Sequence, residues 1–305
     1  LTHLALVGPT ASGKSDLALE VAHAAGDIEI VSVDSMQVYR GLDVGTAKPS
    51  PEMRAAVPHH LIDIAEPTED WSVARFQAAA RTAVAEIEAR GRRALLVGGT
   101  GLYVQAVIDD LRLPGEDLAV RAELEAATAE PGGVKAAYDE LVANDPQAAA
   151  RIDEHNVRRI VRALEVIRVT GQPFSSFGPG VNTFGPTAFP VRIAAVWLPR
   201  DVLAARIAAR VAAMRRSGLI DEVRALRDGP GLSRNARQAI GYKEMLQHLD
   251  DGQPIDEMFA AIVRRTRSFA RRQRMWFRRD PRIMWLAAAE NPCCVLPTLL
   301  ATWSR

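Results

Sequence analysis

Leu4-Ala5-Leu6-Val7-Gly8-Pro9-Thr10-Ala11-Ser12-Gly13-Lys14-Ser15 decides how the rest of this chain is read. The four apolar residues suit a buried strand, and Gly8 to Ser15 then fits the phosphate-binding loop pattern G-x-x-x-x-G-K-[ST]. Glycines let the backbone curl so that successive N–H groups point inward. The helix that follows, Asp16-Leu17-Ala18-Leu19-Glu20-Val21, brings its positive end to the same cavity. In this pattern Lys14 reaches the outer phosphates and the Ser15 hydroxyl helps hold Mg²⁺. A purely structural glycine-rich turn is the bland alternative, and the strand before it and the helix after it argue against that. The chain is expected to bind a polyphosphate or a pyrophosphate.

Outward from this loop, strand and helix alternate. The apolar run Ile28 to Val33 predicts a second strand ending at Asp34, and Ala94 to Val97 another, followed by Gly98-Gly99-Thr100-Gly101 opening a helix through about Leu111. Residues 71–90 carry apolar side chains at near-helical spacing, closed by Gly91. This alternation predicts an α/β fold, a P-loop NTPase-like parallel sheet flanked by helices. After Pro114 the pattern becomes helical, over 118–129, 133–143 and 155–170, and Phe177 to Pro190 reads as a linker. Strand character resumes at 191–198. Helices are then expected over 201–217, 219–228, 236–249 and 255–279, with a last strand at 283–286. The expected organisation is a core of residues 1–112 and 191–305 interrupted by a small all-helical insertion, 113–190. Residues 287–305 read as a tail with no assigned role.

Composition sets outer limits. With 305 residues, 48% apolar and 25% charged, the chain has ample material for a soluble core. No apolar run approaches the ~20 residues of a membrane span. The first strand begins at Leu4, so no signal peptide is expected. Cys293 and Cys294 are adjacent, which gives neither a disulfide framework nor metal-ligand spacing, and a cytoplasmic location is expected. The net charge of +1 is uninformative, but its distribution is not. Arg264 to Arg279 holds eight arginines and no acid. On a helix Arg264, Arg267, Arg271, Arg274 and Arg278 share one face, with Ile262, Phe269 and Trp276 opposite. Solvated faces normally mix signs, so an unmixed arginine stripe favours a phosphate backbone. Arg158-Arg159-Ile160-Val161-Arg162 is a second basic set.

Asp34 ends a buried strand, at the edge where ligands of such sheets sit. It could hold Mg²⁺ or serve as a general base, or it could simply cap a turn with Ser35. The polar and aromatic run Asp34-Ser35-Met36-Gln37-Val38-Tyr39-Arg40 favours function. Gly98-Gly99-Thr100-Gly101 lies at the same edge, where tight packing and ligand approach explain the glycines equally well. His59-His60 lacks metal spacing, and a turn or a substrate-side polar contact is expected there. Arg206 and Arg210 stand at i, i+4 on a predicted helix and could reach the phosphate site.

With these residues assembled, the chain resembles the bacterial-type tRNA dimethylallyltransferase family, also called tRNA isopentenyltransferases. The resemblance is carried in order by Gly8 to Ser15, Asp34 to Tyr39, Gly45-Thr46-Ala47-Lys48-Pro49, Pro58-His59-His60-Leu61, Gly98 to Tyr103, Arg162 to Val166 and Gln238-Ala239-Ile240-Gly241-Tyr242-Lys243. It implies transfer of a dimethylallyl group from its pyrophosphate to the N6 amine of the adenine just 3′ of the anticodon. It casts Asp34 as general base, Arg210 (or Arg206) as the pyrophosphate arginine, and Thr10 and Lys14 as catalytic. Pyrophosphate binding by Gly8, Pro9, Thr10, Ala11, Ser12, Gly13, Lys14 and Ser15 follows, with Mg²⁺ at Ser15. Contacts to the tRNA anticodon stem-loop fall by resemblance on Asp34, Ser35, Met36, Gln37, Thr100, Arg121, Arg158, Arg159, Arg162, Gln238, Gly241, Tyr242 and Lys243. A monomer with no membrane partner is expected. The rival readings are a P-loop small-molecule kinase, an enzyme prenylating free adenine nucleotides and a non-catalytic RNA-binding module; ATP or GTP turnover without tRNA would favour the first, and the intact phosphate loop with Asp34 argues against the last.

Overall fold

The computed structural model describes residues 1–178, 181 and 183–303. In chain order the core begins with β1 (His3–Val7), α1 (Lys14–Ala25), β2 (Ile28–Val33), α2 (Pro51–Ala56), β3 (His59–His60), α3 (Val73–Ala89), β4 (Arg93–Gly98) and α4 (Gly101–Asp109). Four helices follow, α5 (Leu118–Ala129), α6 (Gly133–Asn144), α7 (Pro146–Ala149) and α8 (Val157–Thr170). The chain then returns through β5 (Val191–Trp197), α9 (Arg200–Arg216), α10 (Leu219–Asp228), α11 (Tyr242–Asp251), α12 (Ile255–Phe277), β6 (Ile283–Ala287) and α13 (Leu296–Trp303).

The six strands form one sheet in the order β3-β2-β4-β1-β5-β6, and every pairing is parallel. Period-two alternation sends successive β1 side chains to opposite layers. Ala5 and Val7 join a cluster with Phe76, Val104, Val223, Met245 and Ile262, while Leu4 and Leu6 pack with Leu17, Ala270 and Leu299. Covered on both faces, β1 is buried along its whole length. The chain lies on one side of β1 for β2, β3 and β4 and on the other for β5 and β6. The carboxyl end of β1 is therefore a switch point, where a doubly wound sheet opens a crevice.

Residues Leu1–Asp110 and Pro186–Arg305 form one compact unit and Leu111–Gly185 a second. Residues 186–190 already belong to the sheet unit, because Ala188 N donates to Ile108 O and His3 N to Pro190 O, both at 2.8–2.9 Å. The second unit has its own apolar centre, built on Leu124, Leu141, Ile160 and Leu164. Among the described residues no helix is long and apolar enough to cross a membrane.

Three local expectations change. The helix expected over 236–249 is broken at Gly241 (φ 101°), so a short 3-10 turn at Ala236–Gln238 precedes α11. His59 and His60 form an edge strand rather than a turn. His59 Nδ1 meets Val57 O, and His60 Nε2 meets the buried Glu29 carboxylate at 2.7 Å, so both rings are engaged within the fold. The tail, given no role from sequence, packs on the core over its described residues, 287–303. Asn291 caps a 3-10 turn at Pro292–Val295, and α13 packs on the layer of α1 through Leu299 and Trp303.

Candidate active site at the carboxyl edge of the sheet

The phosphate loop emerges from β1 with Gly8 at φ 140°, Ala11 at φ 62° and Gly13 at φ 80°. Positive φ at Gly13 is joined by a steric demand, since a Cβ there would lie 2.1 Å from Pro292 Cγ. The C-terminal segment thus walls the loop. Lys14 Nζ folds back to donate to Pro9 O at 2.7 Å. Ser12 is fully buried, and its hydroxyl has no partner among the described residues. Arg206 braces the loop from α9, its Nε donating to Ala11 O at 2.9 Å.

Burial pushes the Lys14 ammonium down to about 7; the neighbouring Arg210 charge adds to the fall and Asp34 opposes it. Burial likewise lowers Arg210, again against Asp34. Arg210 reaches the site from α9 with Nη2 donating to Thr46 O at 3.1 Å. Asp34 follows β2, and its Oδ1 accepts from Met36 N at 2.8 Å and Gln37 N at 3.4 Å. That Asx turn fixes the carboxylate direction. Gln37 accepts from Ser32 Oγ at 2.8 Å and donates to Thr46 O at 3.3 Å, tying the loop after Asp34 to the carbonyl that holds Arg210. Lys14, Arg210 and Asp34, far apart in sequence, share one electrostatic neighbourhood. Thr10 sits in the loop with its amide donated to Gln273 Oε1 at 2.9 Å. Thr100 stands at the helix-capping position of α4, with no side-chain cap bond.

Several residues expected to touch RNA have other work. Tyr242 is fully buried and its hydroxyl donates to Glu222 at 2.6 Å; burial and that carboxylate push it far above the usual phenol range. Gly241 is buried as well, at the kink that starts α11. Both are corrected to structural roles, since neither offers a surface to a ligand. Gln238 and Lys243 stay accessible, hydrogen-bonded at 3.0 Å, on the wall of a cavity of about 270 Å³. In the second unit Arg121 and Arg162 close on Glu165 at 2.9 and 3.0 Å, whereas Arg158 and Arg159 are exposed. On α12 the buried seam is Phe259, Ile262, Ala270, Gln273 and Phe277, so Phe269 and Trp276 flank it and are only partly buried. Arg264, Arg267, Arg271 and Arg278 are exposed, but Arg274 leaves the stripe, its guanidinium stacked 4.7 Å over Trp197.

Glu222 and Gln273 were not singled out by sequence. Glu222 accepts from the backbone N–H groups of Asp43, Val44 and Gly45 at 2.7–3.2 Å and so shapes the loop beside the site. For Gln273 a signal existed, because it falls on the buried phase of α12 between Ala270 and Phe277.

A parallel sheet whose switch point carries a glycine-rich loop running into a helix defines the P-loop-like class of α/β proteins. The sequence model of the IPP transferase family matches residues 37–280, and that of isopentenyl transferase matches residues 2–62. A tRNA dimethylallyltransferase of Bifidobacterium adolescentis is 47% identical over 293 residues, covering 95% of this chain and 85% of its own length. One of Kineococcus radiotolerans is 49% identical over 295 residues, covering 94% and 91%. The crystal structure of a tRNA isopentenylpyrophosphate transferase from Bacillus halodurans matches with a TM-score of 0.73 at 40% identity, covering 99% of this chain and 95% of that one. The chain belongs to the IPP transferase family.

Proposed function

We propose that this chain transfers a dimethylallyl group from dimethylallyl pyrophosphate to the N6 amine of the adenine immediately 3′ of the anticodon in tRNA, giving isopentenyladenosine. The relatives named above support the reaction class. The observation that carries the residue roles is that Gln37, bonded to Asp34, and Arg210 share the Thr46 carbonyl, with Lys14 near enough to feel both charges. One place then offers an anion hole for a leaving group and a carboxylate for the nucleophile's proton.

An adenine amine is a weak nucleophile because its lone pair is delocalised into the ring. Holding it within about 3–3.5 Å of the donor carbon supplies part of the rate. As the carbon–nitrogen bond forms, Asp34 takes the N6 proton, help worth about 10²–10⁴. The allylic carbon–oxygen bond breaks and its electron pair leaves with pyrophosphate. Phosphate-loop amides, Lys14 and Arg210 stabilise that growing charge in a water-poor cradle, while Thr10 carries its hydroxyl on the same loop.

Mg²⁺ fits this donor set. Among the described residues no cluster of three His, Cys, Asp or Glu could cage a metal. Mg²⁺ commonly keeps its waters and binds through few protein oxygens plus phosphates, which suits Ser15, exposed in the first turn of α1. When bound, it supplies further charge against the departing pyrophosphate. The exposed arginines of α12, with Arg158 and Arg159, contribute sequence-independent grip on the RNA backbone.

The test incubates the protein with dimethylallyl pyrophosphate, Mg²⁺ and an anticodon stem-loop, followed by mass spectrometry of the digested nucleosides. Prenylated adenosine at the position 3′ of the anticodon is expected. Transfer only to free AMP or ATP, or phosphoryl transfer without RNA, would overturn the reading.

A further inference from the structure

We infer that Gln273 is a positioning residue for the pyrophosphate cradle, acting through the Pro9–Thr10 peptide to set the Lys14 ammonium. The inference rests on the reading of Gly8 to Ser15 as a pyrophosphate site. Gln273 is 6% exposed on the inner face of α12. Its Oε1 accepts from Thr10 N at 2.9 Å and its Nε2 donates to Gly99 O at 2.8 Å. Neither partner belongs to its own helix. One lies in the phosphate loop and the other in the glycine turn after β4, the two loops that border the site.

The consequence for Lys14 comes from peptide geometry. In a trans peptide the N–H and the C=O point in opposite directions. The Thr10 N–H is turned toward Gln273, so the Pro9 carbonyl of the same peptide is turned away from it. That carbonyl accepts from Lys14 Nζ at 2.7 Å. Gln273 therefore fixes the plane of a peptide whose far side tethers the ammonium. The sequence makes room for this pin: a Cβ at residue 99 would lie 2.3 Å from Gln273 Nε2. Trp276, nearly one turn further along α12, makes a similar demand for glycine at residue 101. The helix that shows arginine on its outer face thus seats its inner face on both loops.

The experiment measures binding of inorganic pyrophosphate, without RNA or transfer, for the wild-type chain and for Gln273→Met and Gln273→Glu between pH 5 and pH 8. Melting curves check folding. Methionine keeps the volume and loses both hydrogen bonds, and its Kd should rise about tenfold at every pH. Glutamate is a near-isostere of glutamine only when protonated, with one oxygen accepting from Thr10 N and the O–H donating to Gly99 O. Burial against a carbonyl raises a carboxyl group's pKa. The ratio of the Glu variant's Kd to that of the wild type should therefore be about tenfold at pH 8 and fall toward one as the pH drops. Taking the ratio cancels the titration of the ligand, which is the same for both chains. Both variants binding like the wild type overturns the inference, whatever their melting temperatures. So does a Glu ratio that stays raised and flat with pH, since the weakening would then come from packing alone. If the Met variant does not fold, the Glu ratio carries the test by itself. A wild-type chain that fails to bind pyrophosphate overturns the functional reading instead.

Discussion

In the helical unit and in the sheet unit, partly buried cations live under opposite conditions. Glu165 is fully buried and accepts from Arg121 Nε at 3.0 Å, from Arg162 Nη1 at 3.0 Å and from Asp117 N at 2.9 Å. Its charge is met on every side. In the sheet unit Lys14 and Arg210 are desolvated, and among the described residues neither makes an ion pair. Asp34 alone opposes their loss of charge. A partly buried cation with a carboxylate in contact is architecture. Two without one leave charge to offer an anion, in keeping with the proposed pyrophosphate site.

The largest effect expected from this contrast is at Asp34. Asp34→Asn should lower the rate of transfer by about 10²–10⁴. Pyrophosphate binding should hold or tighten, because the variant removes a negative charge beside the anion hole. Single-turnover transfer and pyrophosphate titration measure the two halves separately, and a variant that keeps its rate removes Asp34 as the base. Next in size is Glu165→Gln, which takes the shared carboxylate from two guanidiniums and leaves Arg121 only Glu116 at 3.3 Å. A loss of about 3 kcal/mol is expected, the low end for a broken buried pair, since Arg121 and Arg162 are 23% and 25% exposed. Chemical denaturation measures it. Pyrophosphate affinity should be unchanged, and a fall there would erase the distinction between the two regions.

The contrast was only half legible in the sequence. Strand, glycine loop and helix announce themselves through local pattern, which is why β1, α1, β2 and β4 and the parallel sheet follow from the residues. Asp34 and Lys14 stand out for the same reason, the first by its place at the end of β2 and the second by its place in the glycine-loop pattern before α1. Pairing is another matter. Arg162 and Glu165 are i, i+3 on α8, but Arg121 comes from α5, and nothing local says that it meets the same carboxylate. Tyr242 shows the limit from the other side. It reads as one more polar member of Gln238 to Lys243, and only the packing of α11 reveals that its hydroxyl is turned inward to Glu222. Pro292 and Gln273 reach the phosphate loop from far along the chain, so their part in the site depends on tertiary contacts that no spacing rule encodes.

Lys14 makes the contrast sensitive to pH. Its folded value, about 7, lies below the ordinary lysine value of 10.5. The unfolded chain therefore binds more protons between these limits. The folding penalty from Lys14 is full below about pH 7 and is relieved as the pH rises toward that of an ordinary lysine. A bound pyrophosphate restores the charge, so binding at pH 8 should take up about 0.9 of a proton at Lys14 and at pH 6 close to none. Calorimetry in two buffers of different ionisation enthalpy measures the uptake. Lys14→Arg, which stays charged, subtracts the ligand's own protons. Equal uptake by both chains would mean that the ammonium is already charged in the free protein, and the contrast would then rest on Arg210 alone.

The smallest effect belongs to the exposed arginines of α12, and it sharpens the contrast by adding a third condition, charge that is neither paired nor buried. Arg271 and Arg278 are exposed and make no ion pair among the described residues, whereas Arg274 is stacked on Trp197. A phosphate contact releases counterions, so each such arginine adds about one unit to the slope of log K against log salt for RNA binding. Arg271→Ala and Arg278→Ala should each flatten that slope by about one unit with little change in stability. Arg121→Ala should reverse the pattern, weakening the fold around Glu165 while leaving the slope alone, because its charge already has a protein partner. A slope that responds to Arg121 as it does to Arg271 would mean that pairing in the free protein does not predict which arginines reach the RNA.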